Sequence, residues 1–397
     1  MTLTQPRVSK KDKAVLLLHK ISEIVENSKP INDTLFGGNL AVAFYFAHLY
    51  ETFGEEKYAD IAMDRLEKVL TAFNENRSAL FGPYFCNGFT GLLYVISLFI
   101  EKGLLSAEIK EDTDLLATQL MHGAFAGVDE DYNDFVHGSF GTLYVLAHYA
   151  EQFKEYGLVK NFLHKIESRY KDTDNPWIAS YAEGEQEKTK VNFSLSHGQT
   201  GLLLVLLKAY SGTGYSVDSS NFLKRNIDYV LSFKNDISIE GTNNYFPSVV
   251  NTVDGTHKAS GRLGWCYGDF GQTLLFYKAA VFFNDKIYLA AAEDTGIKTT
   301  HRKTYETTLL NSAQLCHGTG GTAHIYKTLY QQSGNAIYNK AYHYWMQQTI
   351  EYAEKELGSP VAARTQTDIV EGLPGIGLTL MSFISGKQSD WGNLILL

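Results

Sequence analysis

The sequence predicts an all-α chain folded as an α/α toroid, with seven inner helices ringed by seven outer ones. Three observations carry this: a glycine-led element repeated seven times, amphipathic segments between its copies, and only 7 Pro with few β-like stretches in 397 residues. One domain of seven helical-hairpin repeats, residues 1–397, is the expected organisation, and no strand hairpin is predicted. An open α-solenoid is the alternative; closure is favoured because it removes exposed end faces.

Each inner helix starts from Gly-x-x-Gly and continues as an apolar run. Gly88–Gly91 precedes LLYVISLFI, Gly138–Gly141 precedes TLYVLAHYA, and Gly198–Gly201 precedes LLLVLLKAY. The element recurs at Gly268–Gly271, Gly318–Gly321 and Gly372–Gly375, and a degenerate first copy, Gly38–Ala41, precedes VAFYFAHLY. Copies therefore start at 38, 88, 138, 198, 268, 318 and 372, at intervals of 50, 50, 60, 70, 50 and 54 residues. A helix that is apolar all round is buried on every side.

The outer helices follow from one-sided stripes. Tyr58, Ala62, Leu66, Val69 and Phe73 recur at helical spacing among charged residues, as do Tyr342, Met346, Ile350, Ala353 and Leu357. The glycines are read as tight turns that let neighbouring backbones crowd without a Cβ clash. If every inner helix runs the same way, the N-termini converge on one mouth, with their positive dipole ends pointing there.

The residue before each first glycine would line that mouth: Gly37, Asn87, His137, His197, Tyr267, His317 and Glu371. One step earlier lie Cys86, Cys266 and Cys316, so all three cysteines share one register of the repeat. Cys266 and Cys316 belong to successive copies and would be neighbours, with His317 alongside. Two thiolates and an imidazole suit Zn²⁺, and three protein ligands leave a fourth position open, as in a catalytic site. Cys86, three copies from Cys266 and beside Asn87, reads as a buried small apolar residue. His137 and Glu371 read as groups that hold ligands in place, and Asp269 as a cap on its inner helix.

Composition limits the function classes. With 44% hydrophobic residues the chain can bury a large core, and 35 Lys+Arg against 44 Asp+Glu leave no basic stripe for nucleic acid. The basic run at 7–13 is followed by an apolar segment broken at Lys20 and Glu23, which does not make a secretory signal. No apolar stretch approaches the length of a membrane span. Three cysteines are too few for a disulfide framework. The expectation is a protein of the cytoplasm that is not integral to the membrane, with peripheral membrane association only through partners.

Three strings then carry a resemblance: Ser196-His197-Gly198-Gln199-Thr200-Gly201, Gly264-Trp265-Cys266-Tyr267-Gly268, and Cys316-His317-Gly318-Thr319-Gly320-Gly321. Together, in order, they resemble the motifs of the lanthionine synthetase C family, the stand-alone cyclases that close thioether rings in lantibiotic-type peptides. The likeness extends along the whole chain through the sevenfold repeat. It implies one zinc per chain on Cys266, Cys316 and His317, with His197 as the active-site histidine. It further implies Asp134 as an active-site aspartate, and Arg262 and Tyr267 as the arginine and tyrosine around the first cysteine.

The implied reaction is a Michael-type addition of a peptide cysteine thiolate to a dehydroalanine or dehydrobutyrine. The substrate would be a dehydrated precursor peptide supplied by a separate dehydratase, with a membrane exporter as a further partner. Two alternatives are a zinc module that binds glutathione or another thiol, and a zinc-dependent thiol alkyltransferase of another kind.

Overall fold

The computed structural model describes residues 9–171, 177–178, 189–214, 221–235, 243–258, 261–358, 366–386 and 390–397. Arg7 and Val8 of the basic run lie outside the described residues. Seven buried helices form the inner ring: α2 (Asn39–Phe53), α4 (Phe89–Glu101), α6 (Ser139–Phe153), α8 (Gln199–Thr213), α10 (Asp269–Phe283), α13 (Thr319–Ser333) and α15 (Leu373–Ser385). Seven others surround them: α1 (Lys10–Glu26), α3 (Glu56–Asn74), α5 (Lys110–Asp129), α7 (Gly157–Tyr170), α9 (Asn221–Ser232), α11 (Lys286–Thr299) and α14 (Ala336–Glu356). A one-turn helix, α12 (Tyr305–Thr308), lies between α11 and α13.

Each inner helix packs on the next, and α15 packs on α2, so the toroid is closed. The closing hairpin is not contiguous in sequence: α1 packs on α15 as the seventh outer helix. The outer stripes fall as their spacing predicts, with Tyr58, Ala62, Leu66 and Val69 buried, as are Tyr342, Met346, Ile350 and Ala353. Phe73 is a correction, 50% exposed in the last turn of α3.

The glycine turns fold back on themselves. A Cβ on Gly88 would strike the backbone of residues 81–84, and one on Gly91 would strike the Phe85 carbonyl. The crowding backbone is therefore the copy's own turn more than a neighbour's. Gly268 differs from the other six N-caps, which are extended; its φ of 117° is open only to glycine at low cost.

Backbone hydrogen bonds link successive turns into a belt around the mouth. Leu35 N–H donates to the Cys86 carbonyl, Cys86 to Val136, Leu195 to Cys266, Trp265 to Cys316, Cys316 to Val370, and Ile369 to Phe36. Among the described residues the belt lacks a backbone link between the third and fourth copies, and there the N–H groups of Val136 and His137 donate to Asp134 Oδ1.

Two features depart from the sequence reading. The longer intervals carry a small antiparallel sheet, β1 (Lys190–Asn192), β2 (Val249–Asn251) and β3 (His257–Lys258). Its β2–β3 turn contains Asp254-Gly255, with Gly255 at φ 72°, a hairpin dipeptide the sequence reading passed over. Residues 390–397 form a second surprise, because they occupy the interior of the ring. Asp390 lies against Lys102 and His48 at the far ends of α4 and α2, Trp391 stacks on His324 of α13, and the Asn393 carbonyl accepts from Tyr144 of α6.

Candidate functional site

The belt dictates the order of side chains along the rim. Trp265 N–H bonds the Cys316 carbonyl at 3.0 Å, which sets the fifth and sixth turns side by side. One donor atom from each of Cys266, Cys316 and His317 then lies within 4.8 Å of the others. Zinc–sulfur and zinc–nitrogen bonds in a tetrahedron hold donor atoms about 3.3–3.8 Å apart, so a small inward movement would bring all three onto one ion. The donor set fits zinc on chemical grounds too: two soft thiolates and an imidazole.

The two thiols are pushed in opposite directions. Hydrogen bonding from Cys316, and the nearby His317 and Arg262, hold the Cys266 thiol well below its usual range, whereas the Cys316 thiol is pushed well above it beside that thiolate. His317 is raised in turn by its hydrogen bond with Cys266. His317 Nδ1 lies 3.5 Å from Glu371 Oε1, on the next turn around the ring.

On the other flank, Leu195 N–H bonds the Cys266 carbonyl at 3.1 Å and brings the fourth turn up to the thiols. His197 Nδ1 lies 2.9 Å from Asp134 Oδ2, while Asp134 is fully buried and anchored through Oδ1 to the backbone of Val136 and His137. Burial opposes a charge on His197. The hydrogen bond and charge of Asp134, with the charge of Cys266, outweigh it and raise the imidazole above its ordinary value. His137 stacks on His197, ring centroids 5.5 Å apart and planes 6° from parallel. Burial lowers His137, against Asp134.

The sequence-predicted residues thus occupy one arc of the rim. Asp134, His197, Cys266, Cys316 and His317 come together in copies three to six, and Arg262 is close enough to bear on both Cys266 and His317. Tyr267 is half-buried next to Cys266, and among the described residues no hydrogen bond ties its side chain to the cluster. Cys86 stands outside the arc, its thiol pushed up to about 12 by burial and the charges of Asp368 and Asp134. Asp269 corrects its reading: rather than capping α10, its buried carboxylate accepts from Tyr245 and Phe246 N–H and faces Arg302. A second acidic cluster, His48, Glu51 and Asp390, already holds a cation, because Lys102 Nζ lies 2.6 Å from Glu51 and 3.0 Å from Asp390.

Sequence reasoning missed what lies behind the arc. The Trp265 indole N–H donates at 2.9 Å to the Ile395 carbonyl, so residues 390–397 reach the back of the Cys266 turn. The only sequence signal was the apolar run Leu394-Ile395-Leu396-Leu397. No helix among the described residues is long and apolar enough to cross a membrane.

Comparison with known proteins gives the family and the fold. The family described as lanthionine synthetase C-like protein matches residues 29–396. A curated relative, glutathione S-transferase LANCL1 of Danio rerio, is 22% identical over 334 residues, covering 80% of this chain and 76% of the relative. The solved structure of nisin cyclase superposes with a TM-score of 0.74 at 17% identity, covering 97% of both chains.

Proposed function

The chain belongs to the lanthionine synthetase C-like family, and on that premise we propose that it is a zinc-dependent peptide cyclase forming lanthionine and methyllanthionine rings. The observation that carries this reading is the single arc of two thiols, one zinc-type imidazole and an aspartate-bound histidine. Cys266, Cys316 and His317 would hold the ion, which when bound supplies a substrate cysteine as thiolate at neutral pH. Glu371, beside His317 Nδ1, would orient that ring.

The remaining residues manage the alkene. As the thiolate sulfur bonds to the β-carbon of dehydroalanine or dehydrobutyrine, the π electrons move onto the carbonyl as an enolate. Arg262 and Tyr267 hold that oxygen. His197, protonated and held through Nδ1 by Asp134, delivers a proton from Nε2 to the α-carbon. No atom is lost, so the product has the mass of the substrate. Holding one thiol and one alkene of the same peptide in register is the larger contribution of the protein.

In this reading residues 1–397 act as one domain in the cytoplasm, a separate dehydratase supplies the alkene, and an exporter takes the product, with membrane contact only through those partners. The test is incubation with a dehydrated precursor peptide: the expected result is loss of alkylatable thiol at constant mass, and persistence of every thiol would refute it. A second reading rests on the relative named a glutathione S-transferase. It predicts a peptide heavier by one glutathione when that thiol is supplied.

A further inference from the structure

The cysteine ligands of a metal site need support from behind, and the structure supplies it from an unexpected place. Trp265 precedes Cys266, is 3% exposed, and makes two hydrogen bonds. Its backbone N–H goes to the Cys316 carbonyl at 3.0 Å, and its indole N–H goes to the Ile395 carbonyl at 2.9 Å. Ile395 is fully buried, as is Leu394. A Cβ built on Gly201, in the neighbouring turn, would lie 3.7 Å from Leu396 Cδ1, which places the segment directly beneath the rim.

The segment is fixed at its other end as well. Trp391 donates its indole N–H to Ser382 Oγ at 2.7 Å and stacks on His324 with centroids 3.9 Å apart. Asp390 takes Lys102 at 3.0 Å. The 390–397 segment is thus an internal strut, braced by Lys102 at the end of α4, by Ser382 of α15 and by His324 of α13, and bearing on the turn that carries Cys266. A buried indole N–H must find an acceptor, and here the acceptor is a main-chain carbonyl that no side-chain change can remove.

We infer that Trp265 is a positioning residue of the metal centre: its indole bond to the Ile395 carbonyl, at the near end of the strut, holds the Cys266 turn beside that of Cys316. This rests on the zinc reading given above. The strut touches neither ion nor substrate, and it acts through the Trp265–Cys266 peptide.

The test compares Trp265→Phe, which removes the bond and keeps an aromatic ring, with Trp391→Phe, which loosens the strut at its far end. Zinc affinity by chelator competition and the cobalt(II) thiolate absorption of each are measured beside thermal stability. Outer groups that orient ligands typically contribute about 10–100-fold in metal affinity, so Trp265→Phe should weaken zinc about tenfold or more and shift the cobalt spectrum. Trp391→Phe should lower stability and leave both unchanged. Equal affinity and spectrum for Trp265→Phe and the parent overturn the inference, as does an equal loss in both variants. A parent protein that binds neither metal removes the zinc reading and this inference with it.

Linkage supplies a readout that needs no variant. If the bond favours the metal, the metal must favour the bond. Zinc should slow hydrogen exchange of the Trp265 indole proton while leaving that of Trp391 unaffected, and an unchanged Trp265 rate would overturn the inference.

Discussion

Asp134 and His197 lie 63 residues apart in sequence and 2.9 Å apart in space, at the place where the backbone belt of the mouth lacks a link. One carboxylate does both jobs there. Its Oδ1 accepts from the N–H groups of Val136 and His137, and its Oδ2 holds the imidazole.

Asp134→Asn keeps the shape of this junction and removes its charge. His197 is raised in the folded protein, so the stability it contributes is present in full below its unfolded value of 6.5 and is lost as pH rises through the raised value. The parent should therefore exceed the variant in thermal stability most at pH 5–6, with this part of the difference fading towards pH 8. On the cyclase reading ring closure should slow by about 10²–10⁴-fold. A difference that grew from pH 5 to pH 8 would refute the assignment.

Metal content separates Cys316 from Cys86. Cys316→Ala and His317→Ala should lose bound zinc on dialysis, whereas Cys86→Ala should keep it, because Cys86 stands outside the arc. Full zinc in Cys316→Ala would show that the ion sits elsewhere. With its thiol pushed up to about 12, Cys86 should also resist alkylation at pH 8.

Two glycines with positive φ should respond differently to alanine. Gly268→Ala meets both the φ of 117° and a collision with the Arg262 carbonyl, and should cost about 3 kcal/mol or more in urea unfolding. Gly54→Ala, at φ 70° with open space around it, should cost about 1 kcal/mol. Equal losses would argue that the Arg262 turn yields.

Ring closure couples distant parts of the chain. Leu18 is buried in α1, and its truncation to alanine should cost about 2–5 kcal/mol. Because α1 is the outer partner of α15, amide exchange should rise in α15 more than in α8. A uniform rise around the ring would show that closure is not carried by that hairpin.

The sevenfold architecture was legible because glycine spacing and apolar runs are local, and the shared register of the cysteines came with it. What stayed hidden has no period. The α1–α15 hairpin joins residues more than 340 positions apart, and the strut is a short aperiodic segment whose acceptor is a carbonyl, which every residue owns. Asp269 was misread for a similar reason: its partners, Tyr245 and Phe246, lie in an interval with no repeat signal to align them. Phe73 failed in a different way, since the last turn of an outer helix can keep the stripe's spacing after the core has ended.

The belt carries one more consequence. Its bonds are made by main-chain atoms, so they are indifferent to whether the slot holds Phe36, Cys86, Val136, Cys266, Cys316 or Val370. The rim is in effect a rack of equivalent sockets, whose scaffold does not change with the chemistry loaded into it. A reactive pair could be shifted to the adjoining socket, for instance by V370C with E371H beside Cys316, without asking the protein to fold anew.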